Sequence, residues 1–241
     1  MQLRYFQKGF NYAQDGPGNR LVYHLTGCNM RCPWCANPEG MAMDAPCRTE
    51  PVEAVAQSVV SARPMFFDGG GLTLTGGEVT AQPVAARALL DMVRREGVHT
   101  CVETNAANER LHELLPLIDL LIADFKHPDD EAHRRFTGLS NALVRRNLMD
   151  AARAGHRMLV RVPLIHGVND DDGALNGFTE FFEQLALPGV RVEILPYHEY
   201  GRDKWIRAYG RYDMRDAFVS AETVRAFERA FEAAGMNVVR T

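Results

Sequence analysis

Cys28, Cys32 and Cys35 stand within eight residues, in the run GCNMRCPWC, at a C-x3-C-x2-C spacing. Three thiolates can hold three irons of a 4Fe-4S cube, which a fourth cysteine ordinarily completes. The two remaining cysteines are Cys47 and Cys101, neither of them inside this loop. One iron is then left open, and an open metal position is a place where chemistry can occur. A structural zinc site with His24 or Cys47 as fourth ligand is the competing reading. Zinc sites usually pair two separate C-x2-C or H-x3-H elements, and no second pair exists in this sequence. Trp34, between the last two cysteines, is either a packing residue or an aromatic face for a ligand.

Further polar residues fall just after apolar runs. In LTLTGGEVT, Gly76 and Gly77 permit close approach of the backbone to a ligand, and Glu78 can accept hydrogen bonds from an ammonium group. Glu103 and Thr104 end the run VHTCVET, where they read equally well as a helix-start region. In IADFKH, strand alternation puts Asp124 and Lys126 on one side, as an ion pair or as contacts for a charged ligand. His198 follows ILPY and leads into Gly201, Lys204 and Trp205.

The elements that carry these residues alternate. Residues 21–26, 71–76, 98–104, 118–125, 157–165 and 190–197 read as strands. Helices are expected over 50–62, with Pro51 in the first turn, over 83–97, stopping at Gly97, and over 141–154, from a cap at Ser140 to Gly155. Two more are expected over 175–186 and 221–234, the latter between Ser220 and Gly235. Strand–helix alternation repeated about six times implies a parallel sheet covered by helices. An open sheet would spread the candidate residues along a row, whereas a barrel converges the C-terminal ends of its strands on one centre. No long linker interrupts the pattern, so residues 1–241 read as a single domain.

Composition excludes some functions. The charged fraction is 24% and the net charge −4, which gives no electrostatic case for nucleic acid or an anionic membrane surface. There is no apolar run of membrane-spanning length and no signal-peptide pattern at the N-terminus, so the cytoplasm is the expected location. Five cysteines, three of them clustered, do not make a secreted disulfide framework.

The cysteine spacing resembles the signature of the radical S-adenosylmethionine (SAM) superfamily. DGPGNR, the cysteine loop, the glycine pair with its acid, DFKHPDDEAHRRFTGLSN, VRVPLIHGVNDD and LPYHEYGRDKW follow in the order seen in glycyl radical enzyme activating enzymes, most similarly the compact pyruvate formate-lyase activating type without a ferredoxin insertion. The resemblance implies an α/β fold, a partial (β/α)6 TIM-like barrel. It also implies one 4Fe-4S cluster on Cys28, Cys32 and Cys35, with SAM on the open iron. SAM would be lined by Trp34, Asn37, Gly76, Gly77, Glu78, Lys126 and His198. A monovalent cation would sit beside it at Glu103, Thr104 and Asp124, and Asp15 would face a substrate peptide. The implied reaction is anaerobic. One electron, from flavodoxin or ferredoxin, splits SAM, and the adenosyl radical takes a hydrogen from a glycine Cα of a partner glycyl radical enzyme. The activase itself is expected to be a monomer.

The sequence departs from the family pattern in two places. Ala36 replaces a common histidine after the last cysteine. ETNA replaces D-T-x-G, so Glu103 is a methylene longer than aspartate, and Ala106 or Ala107 stands where glycine is common. These departures point to a partner other than pyruvate formate-lyase. The rival functions are a radical SAM enzyme acting on a small molecule or another peptide, and a non-catalytic iron–sulfur or zinc protein.

Overall fold

Nine strands and seven α-helices appear in the computed structural model, which describes residues 1–240. The chain divides into two compact units. The first comprises Met1–Asn29, Glu39–Thr104 and Asn108–Ile122, and the second Met30–Pro38, Asn105–Ala107 and from Ala123 onward.

The first unit opens with β1 (Gln2–Tyr12) and β2 (Asn19–Leu25), an antiparallel pair joined through the DGPG turn. The short strand β3 (Arg48–Pro51) pairs with β1 only over Gln2–Tyr5. Beyond Tyr5, from Gln7 to Tyr12, β1 pairs with β2 alone among the described residues. Helix α1 (Val52–Ser61) follows directly, then β4 (Gly71–Gly76), α2 (Pro83–Arg95) and β5 (His99–Thr104). β2, β4 and β5 are mutually parallel. The start of β6 (Leu120–Asp124) comes next in the order β3-β1-β2-β4-β5-β6. Helix α2 shows why such segments fold. Pro83 suits a first turn, Ala85, Ala86, Leu89, Leu90 and Val93 form one buried stripe, and Arg94 and Arg95 oppose the negative end of the helix dipole. The chain then leaves at Gly97, φ 72°, a left-handed stop open to glycine.

The second unit runs through α3 (Asp130–Thr137), α4 (Ala142–Arg153), β7 (Met158–Leu164), α5 (Asp172–Leu185), β8 (Val190–Pro196), α6 (Arg202–Tyr209), α7 (Ala221–Ala233) and β9 (Asn237–Val239). β7, β8 and β9 are parallel. Its core is aromatic. Phe125, Phe178, Phe181 and Phe182 meet Phe227 and Phe231, with ring centroids as close as 4.7 Å. Residues 178, 181, 182 and 185 form the i, i+3, i+4, i+7 face that α5 buries.

All six expected strands form. β1, β3, β9 and the helices α3 and α6 were not anticipated. Two expected caps differ in detail. Pro51 precedes α1 as its N-cap residue, and Asn141, rather than Ser140, holds that position for α4. The Ser140 hydroxyl still accepts from the Ala142 amide at 3.1 Å. Ser220 caps α7 as expected, accepting from the Thr223 amide at 3.0 Å.

Candidate functional site

In the first unit, three segments are laced together by backbone hydrogen bonds. The Gly27 amide donates to Gly40 at 2.8 Å, the Cys28 amide to Met41 at 3.0 Å, and the Glu78 amide to Gly27 at 2.7 Å. The Gly77 amide donates to Leu25 at 2.8 Å. The chain after β2 that carries Cys28 is thus fixed to the chain after β4 that carries the glycine pair. The glycines are required here. A Cβ on Gly77 would stand 2.3 Å from the Gly27 oxygen, and Gly76 has φ 111°.

Glu78 is 1% exposed. Its Oε1 accepts from the Thr80 amide at 2.9 Å, the Thr80 hydroxyl at 2.7 Å and the Thr104 hydroxyl at 2.7 Å. A buried carboxylate needs such donors. Two expected site residues, Glu78 and Thr104, therefore touch. Glu103 points to the other face of β5, where its Oε2 accepts from the Thr75 hydroxyl at 2.7 Å. On that same face, the fully buried Arg20 donates to the Thr73 hydroxyl at 2.6 Å and to the Leu72 carbonyl at 2.6 Å. Asp15 accepts from the Asn11 side chain, and its carbonyl accepts from Thr73 at 2.7 Å, which fixes the turn before β2.

In the second unit, Cys32-Pro33-Trp34-Cys35 is a β-turn closed by the Cys35 amide donating to the Cys32 carbonyl at 3.1 Å, with proline at the position that presets its φ. The Arg31 amide donates to the Thr137 carbonyl at the end of α3 at 2.8 Å. The Asn37 amide donates to the Cys35 Sγ at 3.3 Å. Trp34 packs on Phe136, centroids 6.0 Å apart, and against the cluster of Ile165, Tyr197 and Ala217.

Lys126 Nζ and Asp124 Oδ2 are 2.6 Å apart, the expected pair. Burial works against the charged amine. The Asp124 carboxylate, with smaller contributions from Cys32 and Cys35, outweighs it and raises the Lys126 pKa, so the ammonium is retained. Burial lowers the His198 pKa, and the ring stacks on Tyr200 at 4.2 Å. Of the two alanines flagged against glycine, Ala106 is the one with positive φ, 55°. An alanine there costs about 1 kcal/mol or more, and its carbonyl is held by Asn147 at 2.8 Å.

Two groups of contacts were not read from the sequence. Arg161 and Glu193 face each other across β7 and β8 as a buried ion pair at 2.8 Å. Helix α6 contacts the cysteine loop through Lys204, Trp205 and Tyr209.

A family model described as the radical SAM superfamily matches residues 22–175. The chain belongs to the radical SAM superfamily. It is 32% identical to the pyruvate formate-lyase-activating enzyme of Staphylococcus epidermidis over 200 residues, 79% of each chain. To the pyruvate formate-lyase 1-activating enzyme of Escherichia coli K12 it is 32% identical over 205 residues, 83% of this chain and 82% of that one. A crystal structure of a domain of the activating enzyme from Bacteroides vulgatus matches with a TM-score of 0.59 at 28% identity, covering 70% of this chain and 98% of that one. Streptococcus suis SuiB, solved bound to S-adenosylmethionine, shares the fold with a TM-score of 0.67 at 14% identity, covering 90% of this chain and 49% of that one. The mostly parallel α/β sheet with surrounding helices is the partial TIM-like barrel of this superfamily.

Radical SAM membership implies a 4Fe-4S cluster and SAM. The residues fit that cluster. None of Cys28, Cys32 and Cys35 is tied up in a disulfide, and a backbone amide already donates to one sulfur. Among the described residues no three His, Cys, Asp or Glu side chains converge on a single ion. A cube does not ask for that, because each thiolate ligates a different iron.

Proposed function

We propose that this radical SAM enzyme is an activase that removes one hydrogen atom from a glycine Cα of a partner glycyl radical enzyme. The similarity to pyruvate formate-lyase activating enzymes carries this reading. An alignment of 200 residues or more is longer than the superfamily segment 22–175, so the likeness extends beyond the part that all radical SAM proteins have in common.

Cys28, Cys32 and Cys35 would hold the cluster, whose chemistry, when bound, is one-electron reduction of the SAM sulfonium. The chain's own residues do the rest. Glu78, fixed by Thr80 and Thr104, presents a buried anion for the SAM ammonium. Lys126, kept charged beside Asp124, offers a cation to the SAM carboxylate. His198, with its pKa lowered, stays neutral near pH 7 and so offers an acceptor nitrogen as well as a donor. Of Glu103, Thr104 and Asp124, expected together at a monovalent cation, the carboxylates of Glu103 and Asp124 are kept for it, because the Thr104 hydroxyl lies on the other face of β5 and is given to Glu78. Asp15 is kept for the partner's peptide. Overall, SAM, one electron and a glycine C–H become methionine, 5′-deoxyadenosine and a glycyl radical. Flavodoxin or ferredoxin is the donor class in this reading, a monomer the working form and the cytoplasm the location. No helix among the described residues is long and apolar enough to cross a membrane.

The test is anaerobic reconstitution with iron, sulfide, SAM, reductant and candidate glycyl radical enzymes from the host. The expected result is a doublet EPR signal that loses its main splitting when the target glycine is deuterated at Cα. Stoichiometric SAM consumption by a small metabolite, with no protein or peptide giving that doublet, would overturn the reading in favour of a small-molecule enzyme.

A further inference from the structure

Helix α6 buries none of its residues fully, so it adds little to the core. Its contacts are directed instead. Trp205 Nε1 donates to the Cys35 carbonyl at 3.0 Å, Lys204 Nζ donates to Asn37 Oδ1 at 2.9 Å, and the Tyr209 hydroxyl donates to the Pro38 carbonyl at 3.2 Å. At the head of the helix, a Cβ on Gly201 would lie 2.3 Å from the Cys35 carbonyl oxygen, so only glycine lets the two backbones meet this closely. Residues near 205 thus grip the four residues from Cys35 to Pro38, about which nothing local in the sequence would inform them.

What lies between the two side-chain anchors matters. Trp205 fixes the carbonyl of Cys35, Lys204 fixes the side chain of Asn37, and the Asn37 amide between them donates to Cys35 Sγ at 3.3 Å. That N–H belongs to the Ala36–Asn37 peptide, which is flanked on one side by the Cys35–Ala36 peptide that Trp205 holds and on the other by the Asn37 side chain that Lys204 holds. A hydrogen bond to a cluster thiolate draws charge from the sulfur, favours the more negative reduced cluster and raises its potential.

We infer that α6 sets the potential of the cluster. Lys204 and Trp205 are positioning residues that hold the Asn37 amide on the Cys35 sulfur. The inference rests on Cys28, Cys32 and Cys35 being the cluster ligands. Gly201 is the contact that lets α6 start close enough to do this, and Tyr209 closes the far end of the grip.

The test uses the reconstituted full chain with Trp205→Phe, which keeps an aromatic ring beside Tyr209 but removes the donor, and with Lys204→Met and Lys204→Arg. Iron and sulfide content, thermal midpoint and an EPR-monitored redox titration are read for each. Trp205→Phe and Lys204→Met are expected to retain the cluster at a more negative potential, and Lys204→Arg to restore the wild-type value. SAM cleavage should fall with a weak donor and recover with a strong low-potential reductant. If Trp205→Phe loses the cluster, the Lys204 pair decides. Wild-type potentials in Lys204→Met, whatever its thermal midpoint, overturn the inference and leave α6 a merely structural clamp. A wild-type protein that takes up no cluster at all would instead refute the ligand assignment beneath it.

Discussion

Replacing Glu78 by glutamine separates two roles for one carboxylate. Its Oε1 accepts hydrogen bonds from the Thr80 amide, the Thr80 hydroxyl and the Thr104 hydroxyl. Bonds to a charged acceptor contribute about 1.5–3 kcal/mol each and neutral ones about 0.5–1.5. Glutamine keeps the shape and an acceptor oxygen for these bonds but loses the charge. The expected loss in stability is about 1–3 kcal/mol, a fall in thermal midpoint of roughly 2–10 °C for a chain of this size. Facing an ammonium, the same substitution loses a charge-assisted contact of about 1.5–3 kcal/mol, so SAM affinity should drop roughly ten- to a hundredfold. Calorimetric unfolding gives the first quantity and equilibrium SAM binding the second. Thr80→Val removes one donor to Oε1 without touching the charge, and it should lower the midpoint while changing SAM affinity far less than Glu78→Gln does. A Glu78→Gln protein with a lowered midpoint and an unchanged SAM dissociation constant would show that Glu78 is only the cap of its turn.

Changing any of Cys28, Cys32 or Cys35 to Ala should abolish SAM cleavage and the iron–sulfur absorbance, while Cys47→Ala and Cys101→Ala keep both, as iron analysis and product chromatography will show. Arg161→Met takes away the guanidinium that buried Glu193 faces and should destabilise the protein by about 3–5 kcal/mol, whereas the double variant Arg161→Met with Glu193→Leu should recover most of that in denaturant titrations. Acid should weaken the fold through His127 and His133, whose pKa values burial lowers; His133 Nε2 is also buried without a hydrogen-bond partner. Below the ordinary histidine range, about 6.5, the unfolded chain binds protons that the folded one resists. Stability is therefore full above that pH and lost as pH falls, and His133→Gln should flatten the slope of thermal midpoint against pH.

The parallel strands were legible because buried strands read as continuous apolar runs between glycine stops, as in LVYHLT and RMLVRVPLI. β1 was not, because its residues alternate only as far as Tyr5 and are then largely exposed on both faces, with Gly9 in the middle. β9 has three residues and exists only through its pairing with β8. Helices α3 and α6 have eight residues each, α3 mostly polar and α6 half polar, so no wide apolar stripe announces them. The site shows the same division. Residue type and spacing identified the cysteines, the glycine pair, Glu78 and the Asp124–Lys126 pair. The register of β7 against β8, which alone brings Arg161 opposite Glu193, has no local signature. Nor has the grip of α6 on Cys35. At ETNA the resemblance left two alanines open against one glycine, and backbone geometry selects Ala106.

The one-sided stretch of β1 bears on how the protein behaves at high concentration. From Gln7 to Tyr12 the strand pairs with β2 on one flank and, among the described residues, with no strand on the other. Phe10 and Tyr12 are exposed along it. A bare flank of this kind is a template for a second chain to add a strand, and the usual deterrent is a lysine and a break in the side-chain row. Lys8 and Gly9 stand at the centre of the stretch, with the Lys8 amine 5.5 Å from the Tyr23 ring. A lysine in the row puts a charge beside any strand that a neighbouring copy would add here, which disfavours such pairing.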